Sequence, residues 1–135
     1  MALQAKDLMI GDWVKVKSIQ KQVKVKEIKQ SCIYTEGNGY EYNEIESISL
    51  TREILEKNGW KDISDHTLKG CETFKLYHEQ RSFDFYITIK LRDYFKLQSL
   101  DDRLYTLCDM QFGCRYVHEL QHALKLCGIE KEIEL

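Results

Sequence analysis

The residues whose spacing could do chemistry are His118-Glu119-Leu120-Gln121-His122, in the last fifth of the chain. They fit H-E-x-x-H, in which two histidines one helical turn apart bind zinc and the glutamate between them acts as general base. A zinc hydrolase also needs a third protein ligand and an open coordination position for water. The longer zincin pattern would put Gly at 125 and His at 128, where this chain has Lys125 and Gly128. Glu130, Glu132 and Glu134 follow without the helical context such a ligand uses, and Cys108 and Asp109 upstream stay open as donors. The pentapeptide is therefore read as coincidental. No catalytic residue and no cofactor is assigned, His118 and His122 are opportunistic metal contacts only, and a zinc-dependent hydrolase is kept as the last of three readings.

Two cysteine arrangements also touch this segment. Cys108, Cys114, His118 and His122 spell C-x5-C-x3-H-x3-H. If the last three share one helix, the outer pair is separated by roughly 12 Å along the axis, too far for one zinc with bonds of about 2 Å. Cys114 and His118 could form a nucleophile–base pair, but no orienting third group accompanies them. The five cysteines are odd in number and lack a C-x-x-C, which fits reduced, buried thiols better than a disulfide framework.

A second candidate surface lies near the start. Residues 1–30 carry seven lysines against Asp7, Asp12 and Glu27, a balance of +4, so the remaining 105 residues carry −6 of the net −2. In the alternating run Trp13-Val14-Lys15-Val16-Lys17, Trp13, Lys15 and Lys17 fall on one face; in Val23-Lys24-Val25-Lys26, Lys24 and Lys26 do. Paired as a hairpin, these put ammonium groups beside an indole ring, a combination suited to phosphates with a stacked base. The alternative is a plain polar outer face, where strand lysines discourage edge-to-edge aggregation.

The elements that must position these residues follow from periodicity. Strands are expected at 13–17 and 23–28, closed by the polar stretch 18–22, then at 32–35, 40–42 and 45–50, with Gly37-Asn38-Gly39 as a turn. Thr51 is placed to cap a helix through "REILEKN", with Leu50 and Leu55 as a hydrophobic staple, and Asn58-Gly59-Trp60 reads as its Schellman ending. Phe83, Phe85, Ile87, Ile89 and Leu91 alternate with polar residues, with Tyr94–Leu97 and Leu104–Cys108 as expected partner strands. In a helix over 116–127, Tyr116, Val117, Leu120, Ala123, Leu124 and Cys127 share one side, which leaves His118, His122 and Lys125 on a side facing solvent.

The fold class is accordingly α+β: an N-terminal small SH3-like β-barrel or meander over 1–50, then a subdomain over 51–135 made of a helix, an antiparallel sheet and a C-terminal helix. Hydrophobic residues at 43% and charged residues at 31% belong to a globular chain. No run of about 18 apolar residues is present, so no membrane span is expected. Residues 1–7 lack the basic and apolar regions of a signal peptide, and a cytoplasmic location is expected.

Three stretches, "DLMIGDWV", "YNEIESISLTREILEKNGW" and "YVHELQHALKLCGIEKEIEL", resemble a family of small proteins from Bacteroidales-type gut bacteria and their phages or mobile elements. The resemblance covers most of the chain and is weakest between about 61 and 110. It implies no activity and no catalytic residue. Family members typically read V-H-x-L-Q-N at the last helix, so His122 departs from the pattern while His118 matches it. The resulting expectation is a non-enzymatic binding or accessory module, of a phage or mobile element, with a protein partner. The alternative is nucleic acid, bound through Trp13, Lys15, Lys17, Lys24 and Lys26.

Overall fold

A computed structural model describes residues 2–62, 72–80, 83–92, 94–100, 110–126 and 128–135. The chain divides into two compact units. One comprises residues 1–49 with 116–122, the other 50–115 with 123–135. The described residues make an α+β protein of antiparallel sheets and, among them, two α-helices.

The N-terminal unit holds β1 (Trp13–Val16), β2 (Lys21–Lys24), β3 (Glu27–Ile28), β4 (Cys32–Tyr34), β5 (Gly39–Glu41) and β6 (Ile45–Ser47). These form two three-stranded antiparallel sheets, ordered β2-β1-β6 and β3-β4-β5. The expected hairpin forms, with Trp13 opposite Lys24 and Val14 opposite Val23. Between the sheets the chain does not break. Val25 N–H donates to the Asp12 carbonyl at 2.9 Å and Lys26 N–H to the Tyr34 carbonyl at 2.8 Å. Residues 21–28 thus run as one bent path serving both ladders, and the ladders do not close into a barrel.

Period-2 alternation dictates the core of this unit. Val14, Val16, Val25, Ile33 and Ile45 point inward with Leu3 and Leu8, packed by Val23, Ile28, Tyr40 and Tyr42. Burying each such aliphatic side chain contributes about 1.5–3 kcal/mol. The expected turn is present: Gly37 has φ of 88°, and Thr35 N–H donates to the Asn38 carbonyl. A short 3-10 turn, Tyr42–Glu44, leads into β6.

In the second unit, α1 (Arg52–Lys57) is capped as its sequence requires. The Thr51 hydroxyl oxygen accepts from Ile54 N–H, and Leu50 and Leu55 are both buried. At its end Gly59 takes φ of 92°; Gly59 N–H donates to Glu56 and Trp60 N–H to Leu55, the Schellman pair. The sheet consists of β7 (Lys61–Asp62), β8 (Glu72–Gln80), β9 (Phe83–Arg92), β10 (Tyr94–Leu100) and β11 (Met110–Cys114), paired in chain order as an antiparallel meander. The strands expected over 83–91 and 94–97 are present. Leu104–Cys108 lies outside the described residues, and the strand found beside β10 is 110–114. Among the described residues no helix is long and apolar enough to cross a membrane.

The last helix, α2, spans Val117–Leu126. Val117, Leu120, Ala123 and Leu124 are buried, as the projection requires. One expectation fails. His118 is 5% exposed and His122 has only 24% of its side chain in solvent, so neither looks freely outward. A stripe three to four residues wide on a helix leaves flanking positions whose exposure depends on what packs beside them.

Candidate functional site

Each residue of the H-E-x-x-H pentapeptide is engaged in holding α2 in place. Glu119 Oε1 accepts from Tyr116 N–H at 3.1 Å, the returning half of a capping box. Leu120 is core. Gln121 is bonded twice to the turn before β1: its Oε1 accepts from Trp13 N–H and its Nε2 donates to the Gly11 carbonyl, each at 3.0 Å. His122 Nε2 lies 2.6 Å from Asp12 Oδ2. Asp12 is fully buried, and the same oxygen accepts from Met9 N–H at 2.7 Å.

His118 completes this cluster. Its ring stacks on Tyr116, with centroids 5.8 Å apart, and meets His122 edge-on at 5.7 Å. Burial pushes its pKa below the usual 6.5, outweighing the upward pull of Asp12, Glu119 and Asp7; His122 adds to the downward push. His118 Nδ1 and Asp12 Oδ1 are buried without a hydrogen-bond partner. A zinc protease would aim both histidines at one ion and leave the glutamate free for water. In this helix the glutamate caps and His122 is bonded to a carboxylate. No group of three or more His, Cys, Asp or Glu among the described residues could hold a metal. The side chain of Cys114, and with it the Cys114–His118 pair, lies outside the described ones. Cys32 is free and half-buried.

The lysine surface takes a definite shape. Trp13, Lys24 and Lys26 line a cleft of about 530 Å³ in the N-terminal unit, together with Lys21, Asn38 and Tyr40. Gln22, Val23, Thr35 and Glu36 complete its wall. The remaining two residues of the sequence-derived set stand outside it. Lys15 pairs with Glu46 at 3.1 Å, and Lys17 is exposed on the loop after β1. Lys24 Nζ sits 5.2 Å from the Trp13 ring centroid, a cation–π contact. Lys21 and Lys26 make no ion pair with any described residue. Three lysines against Glu36 leave the cleft positive.

Sequence reasoning missed Lys21 and Tyr40. Lys21 belongs to the opposite parity of β2 from Lys24, and a flat strand would turn it away. Tyr40 comes from β5, brought alongside by the bend at Val25-Lys26. Its aromatic character was the available signal, but nothing local linked it to Trp13. The Asp12–His122 pair was equally hidden, since its members are 110 positions apart.

No protein-family model matches the chain, and no curated protein or solved structure matches it.

Proposed function

We propose that the protein is a non-enzymatic binding module and that its N-terminal unit holds single-stranded nucleic acid in the lysine-lined cleft. The observation that carries this reading is the gathering of Lys21, Lys24 and Lys26 with two aromatic residues, Trp13 and Tyr40, around one concavity. Ammonium groups neutralise phosphates, and aromatic faces stack unpaired bases of any sequence. In the free protein Lys24 occupies the Trp13 face that a base would take. A base can compete for that face, because a cation–π contact is worth about 0.5–2 kcal/mol and base stacking about 1–3 kcal/mol.

For the fold of this unit we favour an SH3-like meander. Support comes from β1 pairing with both β2 and β6, and from the short turn that precedes β6. A cytoplasmic accessory role in a phage or mobile element accords with the family resemblance. A protein partner is the second reading, favoured by the position of β2 as the outer strand of its sheet, where an extended acidic peptide could add.

The test is fluorescence anisotropy with a labelled oligo-dT at about 50 mM salt, where phosphate contacts are strong. Micromolar-range binding is expected, weaker to duplex, whose bases are already stacked. Three phosphate contacts give a log–log salt slope of about −2 for a single strand. Replacing Lys21, Lys24 and Lys26 together with glutamine should abolish binding without changing the melting temperature. Absence of binding by the wild-type protein would remove the nucleic-acid reading and leave the peptide.

A further inference from the structure

We infer that Gln121 and His122 are positioning residues for the cleft: from α2 they fix the backbone around Trp13 and so hold the aromatic platform in place. The inference rests on reading the cleft as the binding surface, but the positioning itself can be observed without a ligand.

The turn that leads into β1 has little apolar anchoring of its own. Met9 and Ile10 are exposed, by 43% and 63%, so this stretch is not anchored by burial. Gly11 sits at φ of 94°, in the left-handed region, with nothing within 4 Å of where a Cβ would be. What fixes the turn is polar. Gly11 N–H donates to the Val25 carbonyl, Asp12 N–H to the Met9 carbonyl, and Asp12 Oδ2 accepts from Met9 N–H. The β6 ladder pairs with β1 as far as Val14. The next amide, Trp13 N–H, is taken by Gln121, whose other end binds the Gly11 carbonyl. His122 then holds the Asp12 carboxylate between those two points. Successive residues of one helix thus grip Gly11 and Asp12 of the turn and Trp13, the first residue of β1.

The consequence is specific to Trp13. It lines the cleft and pairs with Lys24 across the β1–β2 ladder, and its backbone N–H is held by α2. A side-chain amide that both donates and accepts suits this task. A residue serving only to keep α2 soluble or helical would not need either bond.

The experiment compares Q121M, which keeps length and helix propensity but loses both hydrogen bonds, with H122L and H122Q. Glutamine at 122 keeps an N–H donor near the position of His122 Nε2, whereas leucine does not. In the free protein, the indole N–H resonance of Trp13 should move in Q121M and H122L and stay near its wild-type position in H122Q; Trp60, in the other unit, serves as internal control. With oligo-dT, Q121M and H122L should bind roughly tenfold more weakly, in the range that loss of one stacked base produces. Their salt slope should match wild type, because the lysines are untouched. If Q121M does not fold, the contrast between H122L and H122Q decides.

An unmoved Trp13 resonance together with wild-type affinity in both disruptive variants would overturn the inference. A moved resonance in a protein whose wild type binds no oligonucleotide would sustain the positioning and reject the nucleic-acid reading alone.

Discussion

At the scale of single residues, the most consequential feature is a histidine that is buried and neutral. Burial holds the His118 pKa below 6.5. In the unfolded chain the imidazole returns to about 6.5. Above that pH neither state binds the proton, and the folded protein keeps its full stability. As pH falls below 6.5 the unfolded chain takes up a proton that the folded chain refuses, so stability drops through the window down to the lowered folded value. Chemical denaturation at stepwise lower pH should show the midpoint falling from about pH 6.5 downward. In His118→Phe the fall should be shallower. Because Nδ1 has no partner to lose, this variant should stay within about 1 kcal/mol of wild type at pH 7.5. Identical pH profiles for the two proteins would mean that His118 is not the linked group. The residue scale is also where the sequence was least legible. Leu120 and Val117 could be placed from helical spacing alone. His118 and His122 could not, because their surroundings are set by Asp7 and Asp12, more than a hundred positions away.

Among the elements, legibility follows the range of the forces involved. The cap of α1 at Thr51, its ending at Gly59 and the turn at Gly37 depend on neighbours within four residues, and all three could be read directly. The strand over 83–92 was equally plain from alternation. The strand at 110–114 was not: Met110, Phe112 and Cys114 alternate with Gln111 and Gly113, but the run is only five residues long and its glycine weakens a strand signal. Asn58 is the instructive case. Read along the chain, it is a helix terminator. In the fold it is buried at 5% exposure, and its amide nitrogen donates to the carbonyls of Ile54 and Glu134, at 2.7 Å each. Its Oδ1 accepts from Glu134 N–H, also at 2.7 Å. One side chain thereby pairs both backbone groups of Glu134 and anchors the segment that buries Ile129 and Ile133. Asn58→Ala removes these bonds and leaves partly buried groups unpaired, which should cost about 2–4 kcal/mol. The urea midpoint of the variant measures it, and a change under about 0.5 kcal/mol, typical of an exposed site, would show that the C-terminal segment is held by its isoleucines alone.

For the molecule as a whole, the question is whether any ion contributes to its stability. A structural zinc site supplies an apparent binding free energy of about 10–16 kcal/mol, comparable with the entire stability of a small domain, about 5–15 kcal/mol. Such a site could not be removed without unfolding the protein around it. The positions a zinc motif would use are committed otherwise. Glu119 caps α2, His122 is bonded to Asp12, and the ring of His118 is packed between Tyr116 and His122. The stability visible in the N-terminal unit comes instead from its aliphatic core and from the polar grip of α2 on the turn before β1. Protein purified without an affinity tag should therefore contain far less than one zinc per chain by elemental analysis. Incubation with excess chelator should leave the melting temperature unchanged, and added zinc should not raise it. One zinc per chain, lost on chelation together with a fall in melting temperature, would mean that His118 and His122 turn toward a common ion, with a third donor drawn from outside the described residues.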